Sequence, residues 1–223
     1  MQRVEILHFS DILCVWAYVE QARVTELAAT FGAQVDIRAH FVQVFGDARG
    51  KLVRGWADRG GGAGYAAHVQ DICERFEIGP IHPACWAQTV PSSSLACHLY
   101  LRAIGVAEAA GELPSGAMDQ AARAVREAFF QQGVDVSQAH ALRSIAAACG
   151  LDRGPIDDAL ERGLAHAALD RDLELGRTHD VRMSPTLLFN EGRQRLAGNV
   201  GYRVIEANVR ELLLHREGGA SWC

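Results

Sequence analysis

The chain has 223 residues, of which 49% are apolar and 22% charged, with a formal charge of −5. That balance suits a globular protein with a sizeable core. It offers no electrostatic case for nucleic acid or an anionic membrane, and no apolar run reaches the ~20 residues needed to cross a bilayer. The N-terminus lacks a signal-peptide pattern, so the expected setting is cytoplasmic. Six cysteines (Cys14, Cys73, Cys85, Cys97, Cys149 and Cys223) lie scattered, with no C-x-x-C pair and no Cys/His spacing that suggests zinc. Cys73, Cys97 and Cys149 fall in apolar helical patterns and read as buried small hydrophobes.

Val4 to Phe9 alternates as a strand. Tyr18 to Phe31 follows with helical periodicity, and Gly32 suits a helix stop. Between them lies the turn that carries Cys14. A cysteine at a strand-to-helix turn faces the first helical amides and the positive end of the helix dipole. Both favour the thiolate, so the expected thiol pKa falls below the free value of about 8.5. Cys14 is therefore the candidate nucleophile. Val35 to Val44 is rich in β-branched and aromatic residues and reads as a second strand. Strand, helix, strand implies a parallel βαβ unit with a right-handed crossover.

From Gly46 to Gly64 there are seven glycines, and the expectation is a mobile loop or linker. Arg59-Gly60-Gly61-Gly62 lacks the lysine and hydroxyl residue of a phosphate-binding loop. Tyr65 to about His179 is helical nearly throughout. Ala66 to Phe76 is one helix. Ser92 to Ser94 cap a second, which Gly105 stops. Met118 to Gln132 is a third, and Ser137 caps a fourth, Gln138 to Cys149. Pro155 opens a long helix running through Leu175. Pro185 heads an apolar strand within Met183 to Asn190, where no ladder donor is lost. Glu191-Gly192 turns the chain into a short antiparallel partner, Arg193 to Leu196. Tyr202 to His215 closes it as a helix.

Three stretches carry a resemblance. FSDILCVWAY (9–18), AFFQQGVDVSQAHALRSIAAACGLD (128–152) and MSPTLLFN (183–190) resemble the redox turn, helical-insert signature and cis-proline strand of one family. It is the DsbA-like family of the thioredoxin-like superfamily, which includes 2-hydroxychromene-2-carboxylate isomerases and kappa-class glutathione transferases. The likeness spans about residue 3 to residue 215. It implies an α/β, thioredoxin-like fold with a large all-helical insertion. Residues 1–55 and 176–223 would form the thioredoxin-like domain, and 56–175 the insertion subdomain.

The resemblance also implies a site. Redox members carry a second cysteine three residues after the first, where Ala17 stands here. Without it, attack on a disulfide stops at a mixed disulfide. The transferases and isomerases mostly place a serine at the position of Cys14, in contact with glutathione. Pro185 matches the family's cis-proline, which leaves the backbone of Ser184 facing the turn. Gly198-Asn199 falls where glutathione-binding relatives hold the γ-glutamyl group with a Ser-Asp pair, which is absent here. Ser10, Trp16, Ser184, Pro185 and Asn199 form the expected binding set for substrate or glutathione. His8 and Asp11 flank the turn, and a lone strand histidine is more often structural than a base. His40, His82 and His140 show no triad spacing, and Cys85 is a conceivable distant resolving cysteine.

The expected function is a thiol oxidoreductase working through Cys14 alone, linked to glutathione by a mixed disulfide or thiol transfer. Its partner would be a small-molecule thiol or disulfide, with no metal, and a homodimer is implied by the relatives. The alternatives are a glutathione-dependent cis–trans isomerase of the 2-hydroxychromene-2-carboxylate type and a non-catalytic thioredoxin-like binding module.

Overall fold

The computed structural model describes residues 3–214. Its centre is a four-stranded sheet of order β2-β1-β3-β4, built from β1 (Val4–Ser10), β2 (Val35–Phe41), β3 (Thr186–Phe189) and β4 (Gln194–Ala197). β1 runs parallel to β2, with Val4 beside Val35 and Ser10 beside Phe41. β3 is antiparallel to β1 and to β4. The βαβ unit stands as read, with α1 (Val15–Phe31) as its crossover helix. The second strand ends at Phe41 rather than Val44.

Two helix layers cover the sheet. On one face Val4, Ile6, Leu187 and Phe189 pack against Leu27 and Phe31 of α1. Ile205, Val209 and Leu212 of α9 (Tyr202–Leu214) complete that cluster. His215 lies outside the described residues, as does Cys223. On the other face Leu7, Phe9, Val42 and Leu188 meet Leu175 of α8 (Leu164–Thr178). A buried carboxylate, Asp172 of α8, holds this layer in place. It accepts from both Arg102 Nε and Nη2 (2.5 and 2.7 Å), from His40 Nδ1 (2.8 Å) and from the Phe41 amide (3.1 Å).

The remaining helices between β2 and β3 are α2 (Ala48–Trp56), α3 (Gly61–Arg75), α4 (Leu95–Ala109), α5 (Ala117–Phe130), α6 (Ala139–Ala148) and α7 (Arg153–Glu161). They share one apolar cluster that includes Trp86, Cys97, Leu101, Phe129 and Phe130. The glycine-rich stretch is not a loop. Asp47 caps α2 by accepting from the Gly50 amide (2.9 Å), and Ala48 and Leu52 are buried in the core. A 3-10 turn, Ala57–Arg59, then leads into α3. Tertiary burial overrides the low intrinsic helix propensity of glycine. The long helix read from Pro155 to Leu175 is two, α7 and α8, because Gly163 takes φ 72° between them. α4 continues past Gly105 to Ala109: a side chain at 105 would meet Met118 Sδ at 2.8 Å, so glycine there serves close α4–α5 packing. Ser137 does not cap α6 but donates to Asp135 (2.6 Å). Cys73 and Cys97 are buried as expected, whereas Cys149, at the C-terminal end of α6, is only half-buried.

Candidate active site

Cys14 occupies the N-cap position of α1, at the C-terminal edge of β1. The Ser184–Pro185 peptide bond is cis, as the resemblance implied. The Cys14 thiol donates to the Ser184 carbonyl oxygen at 3.2 Å, and the Ser184 hydroxyl accepts from the Asp11 amide at 2.8 Å. The turn and the cis-proline segment, 170 residues apart in sequence, are thus joined at two points.

Beneath the thiol lies Asp11, fully buried. Its carboxylate accepts from the Leu13 amide (2.9 Å), the Phe45 amide (2.8 Å) and the Ser94 hydroxyl (2.8 Å). One side chain therefore ties the turn to the segment after β2 and to the start of α4. Ser94 serves Asp11 in place of capping its own helix. Burial pushes the Asp11 carboxyl up to about 6, and its three donors and the Arg126 charge only partly offset the desolvation.

His98 of α4 fixes the same turn. Its Nε2 accepts from the Ile12 amide at 3.2 Å while its ring stacks on Phe41 at 4.7 Å. Burial, helped by the charges of Arg126 and Arg102, drives its pKa down to about 3. The ring is therefore neutral, with its proton on Nδ1, and the 3.8 Å approach to Asp11 Oδ1 is not an ion pair.

The thiol itself departs from the expectation. Burial pushes Cys14 above the ordinary cysteine value. The Ala17 amide and the Ser184 contact pull it back, the Asp11 charge adds to the rise, and the Trp16 amide opposes it. The helix amides do favour the thiolate, but a side chain with 6% of its surface exposed loses more hydration than they return.

The other expected site residues separate. Trp16 packs edge-on against Phe76, ring centroids 5.6 Å apart, and locks α1 to the end of α3. Asn199 accepts from Arg23 Nη1 at 2.7 Å on the surface, so its side chain is engaged with α1. Ser10 is buried on the α1 side of the sheet, where its hydroxyl accepts from Arg126 Nη2 at 2.9 Å. His8 points to that same side and pairs with buried Glu20 at 3.0 Å, a structural partner rather than a base for the thiol. His40 serves Asp172, and His82 Nδ1 accepts from the Ala84 amide (3.1 Å). The five described cysteines are all free. Burial pushes the Cys73 thiol up to about 11 and that of Cys85 higher still. Sequence reading missed His98, Ser94 and Arg126, which reach the turn from 83 to 116 positions away. No local pattern marks such partners.

Sheet, crossover helix and a thiol at the head of α1 facing a cis-proline together define a thioredoxin-like thiol protein. The chain belongs to the family of the DSBA-like thioredoxin domain, whose model matches residues 5–210. No curated protein matches it in sequence. Among solved structures it is similar to the probable DsbA oxidoreductase of Streptomyces coelicolor, at TM-score 0.74 and 16% identity over 96% of this chain and 92% of that one. It is also similar to the cytosolic disulfide reductase DsbM of Pseudomonas aeruginosa in its structure with GSH, at TM-score 0.65 and 16% identity, covering 92% and 99%. A third is a 2-hydroxychromene-2-carboxylate isomerase, at TM-score 0.63 and 18% identity, covering 94% and 96%. Identities this low establish a shared fold. Among the described residues no helix is long and apolar enough to cross a membrane, and no group of three acidic, histidine or cysteine side chains could hold a metal ion.

Proposed function

We propose that this chain is a glutathione-linked thiol oxidoreductase of the cytoplasm that works through Cys14 alone. The observation that carries the reading is the lone thiol at the head of α1, 3.2 Å from the Ser184 carbonyl, with Ala17 where a resolving cysteine would stand. The Cys14 sulfur, once deprotonated, attacks one sulfur of a small disulfide. The S–S bond breaks, a mixed disulfide forms on Cys14, and the second sulfur leaves as a thiolate. Glutathione thiolate then attacks the mixed disulfide, releasing Cys14 and carrying the bound half away as a new disulfide. The net change is exchange of one thiolate for another. The neighbour solved with GSH supports glutathione as the second thiol.

Intact mass after incubation with oxidised glutathione tests this, with Cys14→Ser as control. A single glutathione adduct on the wild type that vanishes in Cys14→Ser supports the proposal. No adduct, or one equally present in the variant, overturns it.

One observation favours a second reading. Burial keeps Cys14 protonated, and a neutral thiol donates a hydrogen bond. In that state it would hold the thiolate of bound glutathione, which adds to an unsaturated substrate and leaves again, as in an isomerase. Cys14→Ser keeps a donor. Retention of glutathione-dependent isomerase activity on a chromene carboxylate by that variant would select this reading over the first.

A further inference from the structure

A cavity of about 400 Å³, whose lining does not include Cys14, lies on the α1 face of the sheet. Its origin is the strand register. His8 sits beside Ala39 and Ser10 beside Phe41, all on this face. α1 and α9 cover β1 and β3, whereas β2 is the edge strand, so Ile37 and Ala39 are only half-buried. Val24 and Ala28 of α1 form the opposite wall, and α5 closes one end.

That closed end is charged. Arg126 of α5 is 5% exposed. It donates through Nη2 to Ser10 Oγ (2.9 Å) and through Nη1 to Gln21 Oε1 (3.1 Å), both neutral groups, and its Nε is buried without a partner. Of the carboxylates whose charge reaches it, Glu20 is engaged by His8 and Asp11 by the Leu13 and Phe45 amides and the Ser94 hydroxyl, while Asp119, on the same helix, acts on it without a hydrogen bond. At the mouth, Arg3 pairs with Asp36 (3.9 Å), and Asp119 and Arg123 add one charge of each sign. A buried guanidinium with neutral partners and an unused donor is costly unless an anion reaches it. A carboxylate matches the guanidinium fork.

We infer that this trough binds a small organic acid, its carboxylate on Arg126 and its apolar body along Ile37, Ala39, Val24 and Ala28. The volume is within the range of small-molecule pockets, and an apolar wall ending in a few convergent polar groups is their usual make-up. Burial also weakens the hold of Arg126 on its proton, a loss that a bound anion reverses.

The test is titration of the full chain with benzoate, benzamide and inorganic phosphate, followed by calorimetry and ligand-observed NMR. Benzoate is expected to bind at least about 10-fold more tightly than either benzamide, which lacks the charge, or phosphate, which lacks the apolar body. Arg126→Gln should weaken benzoate about 10-fold or more. Ala28→Trp, a change at an exposed position that fills the trough, should do the same while Cys14 still takes up glutathione as in the wild type. If Arg126→Gln fails to fold, Ala28→Trp decides. No benzoate binding, equal affinity for benzamide or phosphate, or unchanged affinity in Ala28→Trp overturns the inference.

Discussion

Replacing Asp11 by asparagine separates two effects that the carboxylate combines. The folded carboxyl titrates at about 6, against an ordinary value of 3.8. At about 1.36 kcal/mol per pH unit, that difference is worth about 3 kcal/mol. Because the folded value is the higher one, the stability is fully present below pH 3.8 and is lost as pH rises through 6. The uncharged amide of Asp11→Asn carries no such dependence. It keeps an oxygen for the Leu13 amide, but its NH2 replaces Oδ2, which accepts from Phe45 and Ser94. The Ser94 hydroxyl can rotate to accept; the Phe45 amide then faces another donor, at a pH-independent cost of about 1–3 kcal/mol. Urea unfolding followed by tryptophan fluorescence at several pH values measures both. The variant should be less stable than wild type near pH 4, and the gap should close by about 3 kcal/mol towards pH 8. Other carboxylates cancel in the subtraction, so a gap that stays constant with pH would overturn the account of Asp11.

Alkylation of Cys14 by iodoacetamide should have its midpoint above the free-cysteine value of about 8.5, and Asp11→Asn should move it down by removing a neighbouring anion. A wild-type midpoint below about 8 in a pH–rate series would contradict this. Asp172→Ala should cost about 3–5 kcal/mol in chemical denaturation, because Arg102 and His40 lose their common acceptor; a loss under about 1 kcal/mol would show that the brace is dispensable. Two glycines in the stretch read as a loop should respond in opposite senses. At Gly64 a Cβ would sit 1.7 Å from the Arg59 carbonyl oxygen, so Gly64→Ala should cost about 3 kcal/mol. At Gly55, in α2 with open space around it, alanine should gain about 0.5–1 kcal/mol; thermal melts of the two variants check both signs.

What could be read from the sequence was whatever depends on near neighbours. Alternation marked β1, periodicity marked α1, and the Cys14 turn between them followed. Pro185 at the head of an apolar run marked the strand that faces the turn. The glycine-rich segment misled because the cap at Asp47 and the burial of Leu52 outweigh the composition between them. The Cys14 thiol misled for a related reason. The helix amides that lower a pKa are implied by the turn itself, whereas the desolvation that raises it comes from residues far along the chain. His98 and Arg126 lie in helices whose patterns look like ordinary core, and nothing short of the tertiary fold aims them at residues 10–12.

The apolar cluster has a mechanical consequence. Ile12, Leu13, Cys14 and Val15 belong to the same continuous packing as Leu101, Val125, Phe129 and Ile156 of the helical block. The Cys14 turn is therefore rooted in that block as firmly as in the sheet from which it emerges. Cutting the helices away to leave a minimal sheet-and-two-helix protein would uncover Ile12 and Leu13 and remove Ser94 and His98 from beneath the thiol. The helical block is thus the floor on which the Cys14 turn stands, and opening of the turn would require the two to loosen together.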